Sequence, residues 1–256
     1  MVKRFRSGLQ ARSEALLLTL ETRFYQLIQG WILLSGLACG LRIELSPVHG
    51  SDLSLAFVTP YVLLVLAPVV SALLALRWFA DSDSITRTSS HSSWQRTRPV
   101  TLAEARQHSK FGTTGIMVSL LIGILLNVPV RAAEYLAANP PISAKVPDWL
   151  SMIHIMMSFD VIVFSSLYAI TFVAGLRRSP IFPALLMGVW AVDLTMQLVV
   201  TTALGRTADL PPEVGRALGE LLDGNIKKTL IGVAIWLPYL IMSTRVNVTF
   251  RHRLPG

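Results

Sequence analysis

The sequence predicts an all-α protein, a polytopic transmembrane helical bundle of about six spans with both termini in the cytoplasm. Three observations predict it. Only 15% of the 256 residues are charged while 52% are hydrophobic, whereas soluble domains carry about 25% charged residues. Apolar runs recur that reach the roughly 20 residues, at ~1.5 Å each, needed to cross a bilayer. The basic residues gather beside alternate ends of those runs. The net charge of +8 therefore points to anionic lipid headgroups at the cytoplasmic face and not to nucleic acid.

Residues 1–23 carry Lys3, Arg4, Arg6, Arg12 and Arg23 among Leu9, Leu16, Leu17, Leu18 and Leu20. They read either as a basic amphipathic helix on the membrane surface or as a frayed charged leader. No cleavable signal is expected, because the first apolar run comes late and lacks a small-residue cleavage site. Phe24–Leu41 is the first span, with Gly36 and Gly40 at the spacing that lets helix backbones approach. Leu53–Leu76 is the second, interrupted by Pro60 and Pro68, which kink helices but are tolerated inside bundles. Residues 24–76 thus form a two-helix unit. The lone cysteine, Cys39, excludes an intramolecular disulfide.

Residues 77–110 form a Ser-, Thr- and Arg-rich cytoplasmic connection expected to be flexible. At its end Thr101 and Glu104 have capping-box spacing, predicting a short helix that runs into the third span, Phe111–Val130. Asn139-Pro-Pro141 marks a turn in the next connection. The fourth and fifth spans, Trp149–Leu176 and Ile181–Leu204, are separated by four residues, Arg177 to Pro180, which forces an antiparallel hairpin. Pro212–Leu222 repeats Val214, Leu218, Leu221 and Leu222 on one face and reads as a short helix resting on the outer surface. Thr229–Met242 is the sixth span, and residues 251–256 are the tail.

With the N-terminus inside, the inner segments hold 16 of the 23 Lys and Arg. Five of the 15 acids lie inside, eight outside and two within the membrane. Positive charge resists translocation, so this topology is favoured.

Ile235-Trp-Leu-Pro-Tyr239 is followed by Ser243, Arg245, Val246, Thr249 and Phe250. This ending, led by Trp236 and Tyr239, resembles that of a bacterial membrane family catalogued as domain of unknown function 2569. The resemblance covers roughly residues 111–250 and implies a four-span helical domain in which a polar helical connection precedes the last span. Asn247 stands where such sequences usually carry lysine, and the two N-terminal spans look like an addition. The resemblance implies no activity, so it supplies no catalytic residue.

The acids within the membrane, Asp160 and Asp193, carry the chemical question, because a charge at mid-bilayer costs roughly 2.5–3.5 kcal/mol. Measured along the hairpin, their heights differ by only about 6 Å, so they meet if both face inward. The spans that hold them contain no Lys or Arg, and His154 is the only basic candidate. At least one acid is therefore expected to be neutral and to donate a hydrogen bond. Asp193, Gln197 and Thr201 form an i, i+4, i+8 stripe that either packs against a neighbouring helix or binds a proton or cation. His154, Ser158 and Asp160 suggest a hydrolytic triad by proximity alone, but on a helix Asp160 points about 120° away from His154, off the stripe that His154 shares with Ser158. No nucleophile elbow, zinc motif or phosphate-binding glycine loop occurs. No enzyme, metal or cofactor is expected.

Two functional classes remain. One is a non-enzymatic accessory, assembly or sensing component that acts through contacts with a membrane-protein partner or a second copy. The other is a small proton-coupled transporter using Asp160 and Asp193. The absence of inverted repeats weighs against transport.

Overall fold

The computed structural model describes residues 2–46, 55–81, 97–143, 146–207 and 209–255. The start of the second span at Leu53 and the middle of the polar connection, 82–96, lie outside the described residues. Helices α1 (Val2–Thr22), α2 (Phe24–Glu44) and α3 (Leu55–Trp78) come first. Strand β1 (Thr97–Pro99) and helix α4 (Leu102–Gln107) follow. Then come α5 (Ile116–Ala138), α6 (Asp148–Leu176), α7 (Phe182–Gly205), α8 (Pro212–Met242) and α9 (Thr244–Phe250), with β2 (Arg253–Pro255) last.

Five of these helices, α2, α3, α5, α6 and α7, are long and apolar enough to cross a membrane. Helices α8 and α9, bent by 68° at their junction, make a sixth when taken together. The chain is a multi-pass membrane protein with an all-α bundle. Helix α6 is its axis: 61% of its apolar window is buried, the largest share of any span, and α3, α5 and α7 all pack on it. Helix α2 is peripheral, with 17% buried, and it exposes Leu33, Leu34 and Leu37. In water such a face would be an aggregation patch; in lipid it is simply solvated. Gly36 and Gly40 lie on exposed parts of α2, and a Cβ added to either meets nothing within 4 Å.

Pro60 and Pro68 lie inside α3, and α2 packs beside the second of them. Pro68 has no amide to offer the Leu64 carbonyl, and beside that carbonyl Trp31 Nε1 donates to the oxygen of Val65 at 3.0 Å.

One end of the bundle is drawn together by contacts distant in sequence. Ser13 Oγ accepts from the Gly115 amide at 2.9 Å, and Glu21 faces Arg178 at 3.7 Å. Strand β1 pairs antiparallel with β2, Arg98 opposite Leu254. Residues 253–255 of the tail are therefore paired. Thr101 caps α4 as expected, its Oγ1 accepting from the Glu104 amide at 3.3 Å. The Glu104 carboxylate meets Arg98 at 3.2 Å, so the second half of the capping box is not formed with Thr101.

Three expectations about the elements need correction. The helix that Thr101 caps does not run into the third span. It ends at Gln107, and Gly112 and Gly115, with φ of 102° and 71°, turn the chain before α5. The third span does not end at Val130 but continues through Arg131 to Ala138. The Pro212–Leu222 helix and the last span are one 31-residue helix, α8. Its apolar face does not rest on the outer surface, because buried Leu222 packs in one cluster with Ile153 of α6 and Val200 and Leu204 of α7. That burial holds the polar half of α8 against the bundle and keeps it continuous with the apolar half.

The α6–α7 turn depends on Gly175. A Cβ there would lie 2.5 Å from Leu121 Cδ2 and 2.8 Å from Phe182 Cε2. Phe182 is fully buried and stacked on Phe250, centroids 4.9 Å apart, so it has little room to give. Gly175→Ala is expected to destabilise the bundle by about 1–3 kcal/mol, read as a lower thermal midpoint in detergent. Gly188→Ala, where the added Cβ meets nothing, should leave the midpoint unchanged or raise it.

Candidate functional site

Three helical stripes converge inside the bundle. Helix α5 supplies Asn127 and Arg131, α6 supplies Asp160, Phe164 and Tyr168, and α7 supplies Asp193 and Gln197. Each set is spaced by four residues, which places its members on one face of their helix.

The guanidinium of Arg131 joins the three. Its Nη1 donates to Asp160 Oδ2 at 2.9 Å, and its Nη2 is in contact with Asp193 Oδ2. Its Nε donates to Asn127 Oδ1 at 3.2 Å, one turn back on its own helix, which aims the fork. The cation also lies over two aromatic rings, 4.9 Å from the centroid of Phe164 and 5.7 Å from that of Tyr168. Tyr168 in turn donates its hydroxyl to Asp193 Oδ2 at 3.0 Å. Gln197 Nε2 reaches Asp160 Oδ1 and Asp193 Oδ1, each at 3.4 Å. Asp193 and Gln197 are fully buried, and the side chains of Arg131 and Asp160 are 10% and 20% exposed.

This geometry corrects the sequence expectation for the acids. Ending the third span at Val130 placed Arg131 in a loop and left the two carboxylates without a cation. The continuous α5 carries Arg131 back into the bundle, so the argument for a neutral, donating acid loses its premise. Asp160, Asp193 and Gln197 are brought together as expected. Thr201 is not part of the cluster; it is exposed, and its hydroxyl donates to the Gln197 carbonyl at 2.8 Å. His154 lies about 9 Å from Asp160 along α6 and on another stripe. It is buried, its carbonyl accepts from Ser158 Oγ at 2.6 Å, and that hydroxyl meets Tyr135 at 2.8 Å.

Arg131, Asn127, Phe164 and Tyr168 are the participants that the sequence reading missed. A signal existed: from Val130 to Ala138 no helix breaker occurs before Asn139-Pro140.

Beside the cluster lies a cavity of about 200 Å³ between α5 and α8, lined by Asn127, Arg131, Glu134, Tyr168, Asn225 and Lys228, among others. Lys228 pairs with Glu134 across it, tying the polar half of α8 to α5. With its three charged side chains ionised, the Arg131, Asp160 and Asp193 cluster carries one uncompensated negative charge. Among the described residues no group of His, Cys, Asp and Glu is arranged to hold a metal.

The residues of the C-terminal motif lie elsewhere, at the gathered end of the bundle. Arg245 Nη1 donates to Thr114 Oγ1 at 2.8 Å and to the Gly112 carbonyl at 3.2 Å. Thr249 Oγ1 accepts from the Gly112 amide at 3.0 Å. Ser243 begins α9, its carbonyl accepting from the Asn247 amide. Val246 and Phe250 are buried, and Trp236 meets Tyr239 edge-on at 6.0 Å. Asn247, at the position where lysine is usual, accepts from Arg251 Nη1 at 2.6 Å. The motif clasps the 112–114 turn at the entrance of α5.

Arg131→Lys keeps the charge but replaces a five-donor fork by a point charge that cannot hold two carboxylates and Asn127 in the same geometry. A loss of about 1–3 kcal/mol is expected, measured as a lower thermal midpoint in detergent.

A family model described as "Protein of unknown function (DUF2569)" matches residues 112–251, more than half of the chain. The matched stretch runs from the clasped turn through α9 and includes Arg131, Asp160 and Asp193. None of the curated proteins and none of the solved structures matches the chain.

Proposed function

The chain belongs to the DUF2569 family, and from that premise we propose that it is a non-enzymatic accessory, assembly or sensing component of the bacterial inner membrane. It acts through the contacts of its bundle with a membrane-protein partner or a second copy. Both termini are cytoplasmic in this reading, as the bias of 16 of 23 Lys and Arg towards that side favours. The basic segments then lie against anionic headgroups.

The observation that carries the proposal is the commitment of both mid-membrane acids to Arg131. Carboxylates shared by one guanidinium, a tyrosine hydroxyl and a glutamine amide are held in place, as helix packing requires. A coupling site would need at least one of them to be released in each cycle.

Proton-coupled transport is the second reading. It is favoured by one specific feature, two carboxylates on a single guanidinium beside a cavity of about 200 Å³ that Asn127, Glu134, Asn225 and Lys228 help to line.

Charge balance separates the two. Asp160→Asn or Asp193→Asn alone leaves Arg131 with one carboxylate, a neutral pair; changing both leaves a buried cation unpaired, which costs about 3–5 kcal/mol. On the contact reading each single variant folds and complements the phenotype of a deletion strain, while the double variant does neither. A single variant that melts like the parent but fails to complement would overturn the contact reading in favour of transport.

A further inference from the structure

We infer that the bundle carries a dedicated site for one anionic phospholipid, its headgroup phosphate at Arg177 and Arg178 and one acyl chain in the groove between α2, α3 and α5. The inference rests on the chain's spanning the membrane and on neither functional reading above.

Two cavities make the site. The first is a groove of about 380 Å³ lined on α2 by Phe24, Ile28, Trp31 and Leu34, and closed by Ala72 of α3 and Phe172 of α6. Gln26 is the one lining residue whose side chain is an uncharged amide among otherwise apolar and glycine positions. From Phe24 to Leu34 the groove runs ten residues along α2, about 15 Å. That is half of the roughly 30 Å hydrocarbon core, the depth of one leaflet. It starts at the gathered end of the bundle, where α2 begins.

The second cavity, of about 280 Å³, lies at that same end and is lined by Glu21, Phe24, Tyr25, Leu76, Arg177 and Arg178, with Leu176. Phe24 lines both cavities and is stacked on Phe172, centroids 6.2 Å apart with the planes 9° from parallel. The two cavities therefore adjoin at Phe24, at the end of the groove nearest the arginines.

The second cavity is built to hold an anion. Arg177 and Arg178 line it together with a single carboxylate, Glu21, and the Glu21–Arg178 pair is long, at 3.7 Å. Arg178 Nε is buried with no hydrogen-bond partner, so Glu21 does not satisfy all the donors of a fork suited to phosphate. Arg178 has φ of 53°, a left-handed conformation costly for a side chain with a Cβ. Its guanidinium lies 5.9 Å from the Phe111 ring centroid. Arg23 and Arg77, adjacent in sequence to the lining residues Phe24 and Leu76, are exposed and add to the positive field. A lipid tail satisfies the groove alone; at the second cavity the arginines favour an anionic headgroup over a zwitterionic one, whose ammonium they repel.

The test uses the full chain purified in mild detergent, with phosphatidylglycerol, phosphatidylcholine or inorganic phosphate added. Native mass spectrometry and the thermal midpoint provide the readouts. The wild-type protein should retain one phosphatidylglycerol roughly thirtyfold more readily than phosphatidylcholine, from about 1 kcal/mol for each of the two arginines at the headgroup. Phosphatidylglycerol should raise the midpoint and inorganic phosphate should not. Arg177→Gln with Arg178→Gln should abolish the preference between lipids. Gly30→Phe should prevent retention of either lipid; Gly30 lines the groove and an added Cβ there meets nothing within 4 Å. Equal retention of the two lipids by the wild-type protein would overturn the inference without requiring any variant to fold. So would a protein that retains no lipid and instead forms a dimer disrupted by Gly30→Phe, which would make a second copy the occupant.

Discussion

A guanidinium shared between two carboxylates is the constraint on which the middle of this bundle depends. In hydrocarbon an isolated charge is far more costly than in water, and a buried pair that loses one member exposes the other to that cost. Arg131, Asp160 and Asp193 therefore stabilise one another only while α5, α6 and α7 keep the rotation and height that bring their stripes together. A slip of α7 by one residue would swing Asp193 about 100° away from the cluster. Apolar packing against lipid discriminates weakly between such rotations, because lipid tails are as apolar as leucine. The charge cluster supplies the discrimination that packing lacks.

The two ends of the bundle are fixed by different means. At the gathered end, Arg245 and Thr249 hold the 112–114 turn, β2 lies on β1, and Ser13 takes the Gly115 amide. Tying the entrance of α5 to α9 and to α1 sets the depth from which Arg131 is presented. Towards the other end, Lys228 and Glu134 join α8 to α5, and Leu222 seals α8 against α6 and α7. The family match begins at the clasped turn and ends just beyond α9. It therefore contains the clasp, the charge cluster and the α8 contact, and leaves out α1 to α3. The apolar groove lies on the boundary between those two parts.

Much of this was legible in the sequence, for reasons that also explain what was not. Hydrocarbon requires long apolar runs, so α2, α3, α6 and α7 stand out by composition, and a four-residue joint leaves α6 and α7 no other arrangement. The stripe of Asp193 and Gln197 is visible because helical spacing is local. Arg131 was missed because an arginine at the edge of an apolar run is read as the end of the span. Whether it ends the span depends on a carboxylate 29 or 62 residues away, which no local pattern records. The same limit hid the continuity of α8. Its polar half reads as a surface helix until Leu222 is seen to pack against Ile153, Val200 and Leu204. The tail motif was recognisable as a pattern, yet its role as a clasp needs Gly112 and Thr114, more than a hundred residues earlier.

The shared guanidinium is tested most directly by a thermodynamic cycle in detergent. Unfolding free energies are compared for the parent, Arg131→Met, the Asp160→Asn, Asp193→Asn double variant, and the combination of all three substitutions. If one cation holds both acids, Arg131→Met should cost about 3–5 kcal/mol and the combined variant should recover most of that loss, because no charge remains unpaired. Costs that simply add, with the combined variant the least stable of the four, would contradict the account.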